Sequence, residues 1–222
     1  SYLDLVALGT VCDVVSLTDY NRAFVKAGLT LIKKRKNLSI KQILDNSKIR
    51  NTPTSLDLGF IIGPQLNAAS RLDDSSLPSK LLITNDKIEI EKICKRLLLL
   101  NEKRKLIEKK IFEESFAQAQ NQNESNYLLV YGKNWHTGVL GIVASRLISI
   151  FNKPTIVISF TEKIGIGSAR SIKNIDLGQI IIKAKNEQIL KNGGGHSMAA
   201  GLKINYANLK KFKIYLDNIF IK

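Results

Sequence analysis

Gly193-Gly194-Gly195-His196-Ser197-Met198-Ala199-Ala200-Gly201 decides how the C-terminal half of the chain is read. Three consecutive glycines cost conformational entropy, so they persist where the backbone needs positive φ or where a ligand must approach bare N–H groups. An anion is the expected visitor, since successive free amides form a positive concavity. His196 can donate a hydrogen bond or a proton to an oxyanion, and the small run Ala199-Ala200-Gly201 lets another element pack closely behind it. A loop carrying a core histidine is the competing reading. Glycines, histidine and small residues together favour a phosphate or nucleic-acid site, with Gly193, Gly194 and Gly195 against the ligand.

Outward from this loop the pattern alternates strand and helix. Asp176 can cap a helix through Ala184, residues 201–204 read as a strand and 206–220 as a final helix. Upstream, 127–131, 155–160 and 163–169 carry β-type runs around a helical stretch at 138–151. The polar stretch 118–126 reads as a loop or linker. Before it, 86–119 contains neither Gly nor Pro, and Ile90, Ile93, Leu97, Leu100, Ile107 and Ile111 recur at heptad-like spacing, broken by Arg104. One long helix follows, either a strut between two domains or one strand of a coiled-coil dimer; the polar break and limited length favour the strut.

Residues 1–84 read as mostly helical. Leu3, Val6, Ala7 and Leu8 form an apolar patch, Asp19 can cap a helix bearing Ala23, Phe24, Ala27 and Leu31, and shorter helices are expected at 39–45, 55–61 and 65–71. Lys33-Lys34-Arg35-Lys36 is either a solvated last turn, favoured by the helix dipole, or a DNA contact. No internal repeat is visible.

The chain has 222 residues and is 44% hydrophobic, enough for ordinary buried cores. No apolar run approaches the roughly 20 residues of a membrane span, and the first residues do not resemble a signal peptide. Cys12 and Cys94 are isolated, which suits a reducing cytoplasm and argues against a metal knuckle or redox pair. A soluble cytoplasmic protein is expected, and the absence of an initiator methionine suggests a piece of a longer chain. With 34 Lys and Arg against 19 Asp and Glu the formal charge is +15. Such an excess attracts polyanions through counterion release, although a Lys- and Ile-rich composition also follows from genomic base bias.

Four further segments bear residues with chemistry. Asp13 stands alone in the apolar run 7–17, where a carboxylate must be paired, hydrogen-bonded, capping or metal-bound. In Gly63-Pro64-Gln65-Leu66-Asn67-Ala68-Ala69-Ser70-Arg71, Asn67 and Arg71 lie four apart on one helical face, and Arg71 can fork onto a phosphate or serve as an ordinary surface arginine beside Asp73 and Asp74. Trp135-His136-Thr137-Gly138 opens an apolar helix, so His136 and the free N–H groups can face a ligand, while Trp135 fits core better than base stacking. In Gly165-Ile166-Gly167-Ser168-Ala169-Arg170, Ser168 and Arg170 point the same way along a strand, as a phosphate grip requires, and could share a cleft with His196.

Taken in order, these segments resemble the single-stranded-DNA exonucleases of the DHH phosphoesterase superfamily over nearly the whole chain. Leu5-Val6-Ala7-Leu8-Gly9-Thr10-Val11-Cys12-Asp13 is similar to the last motif of that family's catalytic domain, and Gly193-Gly194-Gly195-His196 to the signature of its DHH-associated domain. The resemblance implies an α/β architecture: the helical end of a DHH domain over 1–84, a connecting helix over 85–122, and a small α/β DHH-associated domain with a mixed sheet over 123–222. It implies that Asp13 binds Mn2+ or Mg2+, that Asn67, Arg71, His136, Ser168, Arg170 and the three glycines hold substrate, and that His196, the catalytic candidate, contacts a phosphate beside the scissile bond. Gln65 stands where a basic residue is usual and Ser70 where glycine is usual, departures expected to weaken DNA contact. The family's Asp-x-Asp and Asp-His-His motifs, which supply most metal ligands, and its oligonucleotide-binding domain do not occur in these 222 residues.

The implied chemistry is two-metal hydrolysis releasing mononucleotides from a 5′ end, in DNA repair and recombination. Single-stranded DNA is the implied partner, with no membrane and a monomeric complete protein. This chain alone is expected to be inactive. Two alternatives remain: a non-catalytic nucleic-acid-binding module, since alanyl-tRNA synthetases carry a related Gly-Gly-Gly-His domain, and a relative acting on oligoribonucleotides or cyclic dinucleotides.

Overall fold

The periodicity between residues 86 and 119 becomes one helix, α7 (Lys87–Gln120), in the computed structural model, which describes residues 2–220. Two units part inside this helix, between Arg104 and Lys105. Its apolar stripe serves both. Ile90, Ile93 and Leu97 are buried in the core of the first unit, and Ile111, with Ile107 beside it, in a core of the second. The stripe that a coiled-coil dimer would need is therefore consumed within the chain. Arg104, the break in the pattern, donates through Nη2 to Asn101 Oδ1 at 2.9 Å. No helix among the described residues is long and apolar enough to cross a membrane.

The first unit is helical: α1 (Leu3–Cys12), α2 (Asp19–Lys33), α3 (Leu38–Asn46), α4 (Ser55–Asp57), α5 (Gly63–Leu72) and α6 (Leu77–Ile83) precede the start of α7. Close approach of α1 and α2 depends on Gly28, where an added Cβ would lie 2.2 Å from Leu3 O and 2.3 Å from Ala7 Cβ. Thr18, not Asp19, stands at the N-cap of α2; Asp19 is its first residue and acts on the helix dipole. The expected helices at 55–61 and 65–71 are one continuous run. Pro64 has no N–H to donate, and the run passes into it through a π-helical turn, Leu58–Ile62, closed by Gly63 N–H on Leu58 O. Helix α6 carries no signal noticed in the sequence. Within the basic cluster, Arg35 is structural: it pairs with Asp45 and donates to Ile49 O.

The second unit adds β1 (Leu128–Lys133), a 3-10 turn (Thr137–Val139), α8 (Leu140–Phe151), β2 (Thr155–Thr161), β3 (Ile164–Arg170), α9 (Leu177–Asn186), β4 (Asn192–His196), β5 (Ala199–Asn205) and α10 (Leu209–Phe220). The strands form one sheet in the order β1-β2-β3-β5-β4, with β1 and β2 parallel and the other pairs antiparallel. One face packs Leu128, Val130 and Val157 against α8 and the end of α7; the other packs Ile156, Ile158, Ala169, Leu202 and Ile204 against α9 and α10. Asp176 caps α9 as expected, its Oδ1 accepting from Gln179 N at 3.0 Å.

Two sequence expectations change here. The stretch 193–195 is a strand, not a loop. The polar segment 118–126 is partly helix, and its glutamines have a task. Gln118 exchanges hydrogen bonds with both backbone groups of Tyr131, at 2.8 and 3.0 Å, and Gln122 does so with Leu129, at 3.0 Å each. Two side-chain amides thus stand in for a neighbouring strand along the edge of β1.

Candidate nucleic-acid interface

Alternate residues of β3 share a face, and the register carries that face across three strands. Arg170 pairs with Ala199, which pairs with His196; Ser168 pairs with Gly201, which pairs with Gly194. Helix α8 covers this side over β2 and β3, but a Cβ added at Gly194 meets nothing within 4 Å. Ser168, Arg170 and His196 therefore line one side of one sheet. The outer two stand two strands apart, about 10 Å between backbones.

Arg170 donates through Nη1 to Ser168 Oγ at 3.2 Å and Ala169 O at 2.9 Å. Burial holds its pKa below the usual arginine value. No carboxylate pairs with it among the described residues. A half-buried, oriented guanidinium without a counter-ion has lost solvation that only an anion restores. Gly141, in the first turn of α8, makes room for this pair: a Cβ there would lie 2.7 Å from Arg170 Nη2 and 3.1 Å from Ser168 Oγ. Its one signal was a glycine inside an apolar helix, a residue that costs stability there without a packing reason.

Both histidines are presented in the same way. His196 Nδ1 accepts the N–H of Met198 at 3.3 Å, and His136 Nδ1 accepts that of Gly138 at 3.2 Å. In a neutral ring this puts the proton on Nε2, and both rings are exposed. Each offers an N–H donor suited to a phosphate oxygen. Trp135 is core, buried and bonded through Nε1 to Glu114 at 2.7 Å.

The three glycines divide their work. Gly193 gives way to Ile181 of α9, whose Cγ2 would stand 2.6 Å from an added Cβ. At Gly195 the added atom would fall 2.2 Å from Ala199 O and 2.5 Å from Ala200 Cα, which are backbone and cannot swing aside. Of the three, only Gly194 has room for a side chain, an added Cβ meeting nothing within 4 Å. Gly178 of α9 also leaves room for the His196 backbone, whose carbonyl would stand 2.9 Å from an added Cβ.

In the first unit Asp13 is not the buried charge that its apolar run suggested. Helix α1 ends at Cys12, Asp13 is the exposed C-cap, and Val14 turns left-handed at φ 56° with 88% exposure. Cys12 is no thiolate ligand at neutral pH, since burial and then the Asp13 charge push its pKa up. Among the described residues no three of His, Cys, Asp and Glu come together to hold an ion. The donor set present here does not make a metal site; it offers one exposed carboxylate.

Asn67 and Arg71 lie on the outer side of α5, opposite the buried Ala68 and Ala69. Asp73 is occupied by Arg96 and Asp74 by the Ser76 N–H. Gln65 faces inward and donates to Ser47 Oγ at 2.8 Å, so its departure from the family pattern is a packing matter; Ser70 is exposed and donates to Asn67 O.

Residues 124–222 match the DHHA1 domain, which sets the class of the second unit. Across its length the chain is 39% identical to the single-stranded-DNA-specific exonuclease RecJ of Haemophilus influenzae, covering 95% of this chain and 38% of that protein. The Bacillus subtilis RecJ is 32% identical over 98% of this chain and 28% of its own length. Among solved structures, RecJ of Thermus thermophilus in complex with Mg2+ superposes with a TM-score of 0.88 at 30% identity, over 99% of this chain and 34% of that one. A RecJ bound to manganese superposes at 0.84 and 29% identity, over 100% of this chain and 55% of that one. Over nearly its whole length the chain is similar to a segment of RecJ, and it spans about two fifths or less of the curated relatives it matches.

Proposed function

We propose that these residues grip single-stranded DNA for a 5′-to-3′ exonuclease of the RecJ kind. The observation that carries the reading is Arg170, desolvated, tied to Ser168 and without a carboxylate partner among the described residues, on the same side of the sheet as His196. The guanidinium and Ser168 hydroxyl hold a terminal phosphate, and His196 Nε2–H positions the next one. His136, Asn67 and Arg71 add further contacts to the strand. Phosphate contacts supply affinity without reading bases. Asp13 contributes one ligand to Mn2+ or Mg2+. Hydrolysis requires ligands that the described residues do not bring together, so the chain binds but does not cut.

Fluorescence anisotropy with a 5′-phosphorylated, dye-labelled oligothymidylate tests this. Binding tighter for single strand than for duplex, weakening steeply with salt, is the expected result. Absence of binding at low salt would remove the reading. So would manganese-dependent release of mononucleotides by this chain that Asp13→Ala abolishes, since the chain would then hold a complete centre.

A further inference from the structure

The exposed side of the sheet continues beyond the row of Ser168 into a groove of about 440 Å³, lined by Ile166, Asn192, Gly193, Gly194, Gly201, Leu202 and Lys203. Ile166, Lys203 and Asn192 form the next row across β3, β5 and β4. Ile166 lies in mid-sheet yet is 47% exposed, and Lys203 and Asn192 are exposed beside it. Asn192 uses its Oδ1 to accept the Gly193 N–H at 2.9 Å, which turns its NH2 into the available donor. No residue lining the groove is acidic. The loop bearing His136 meets β2 at the same level: Ser159, the register partner of Ile166, donates to Trp135 O at 2.6 Å. From Arg170 to Ile166 is four residues along a strand, roughly 13 Å.

We propose that this groove is a further subsite, for the third nucleotide from the 5′ end. It rests on the single-strand reading above and extends it. A base or sugar lies flat over Gly201 and against Ile166, its phosphate turned to Lys203, while the terminal phosphate stays at Arg170. An apolar contact, a cation and an amide donor, with no carboxylate to repel phosphate, suit any nucleotide, because every base has a flat face to bury. The glycine opposite Gly194 then has a reason that packing does not supply: a Cβ at Gly201 comes no nearer than 4.0 Å to anything in the protein.

The test compares 5′-phosphorylated thymidylates of two and ten nucleotides by anisotropy, using the whole 222-residue chain and the variants Gly201→Val and Lys203→Ala. Valine fits the open space and suits a strand, so the melting temperature of Gly201→Val is to hold or rise. Affinity for the ten-mer is expected to fall about tenfold in Gly201→Val and about threefold in Lys203→Ala, with less than about a twofold change for the dinucleotide. Equal loss for both lengths, or no loss for either, would overturn the subsite while leaving the single-strand reading intact. A parent chain that binds neither oligonucleotide would remove both. Loss of ten-mer affinity to a competing peptide in place of DNA would mark the groove as a protein-docking surface and overturn the proposal as well.

Discussion

Arg170→Ala is expected to lower affinity for 5′-phosphorylated single-stranded DNA by about 10- to 100-fold, the range of one charge-assisted contact. The salt dependence should become shallower by about 0.7 in the log–log slope, the share of one phosphate on a single strand. Stability is to move the other way or not at all. The guanidinium is half-buried and meets no carboxylate among the described residues, so alanine removes a desolvated charge instead of breaking an ion pair. Arg170→Lys restores charge but not the fork, and should recover only part of the affinity. Anisotropy across a salt series, beside a thermal melt, checks all three. A large fall in melting temperature with an unchanged salt slope would make Arg170 a structural residue and not a phosphate ligand.

Gly195→Ala is expected to cost about 3 kcal/mol or more, while Gly194→Ala changes stability by less than about 1 kcal/mol. The two positions are adjacent, and the difference is geometric. One added carbon strikes the backbone of Ala199 and Ala200, where relief means separating β4 from β5; the other enters open space. Because His196 ends β4, Gly195→Ala should also displace its Nε2 donor and weaken DNA binding in whatever fraction remains folded. Urea denaturation of the two variants under one condition decides the matter. Equal midpoints would mean that the β4–β5 turn yields more easily than its backbone contacts indicate.

The parts of this fold that were legible in the sequence are those where side chains carry a period. The stripe of α7, the Asp176 cap and the alternation that aims Ser168 and Arg170 one way all express side-chain direction. Strand β4 was not legible because glycines have no side chain to alternate, so a pleated segment looks like a loop. Asp13 misled for a different reason. Its neighbours Val14, Val15 and Leu17 are apolar, as core residues are, but the helix ends at Cys12 and leaves all three exposed. The π turn before Pro64 and the inward Gln65 depend on tertiary fit that composition does not encode. Metal use is the least legible of all, since an ion needs several donors at one point and no three His, Cys, Asp or Glu come together among the described residues.

The glutamines on α7 and just beyond it carry a kinetic consequence. An edge strand normally trades its outward amide hydrogens with water quickly, since nothing holds them. In β1 the N–H groups of Leu129 and Tyr131 are each held by a glutamine oxygen at 3.0 Å. Their release requires those two side chains to let go, so deuterium uptake at this edge is governed by side-chain opening near the end of a helix. In exchange terms this rim of the sheet is latched at two amides, unlike the glycine strand β4 at the opposite end.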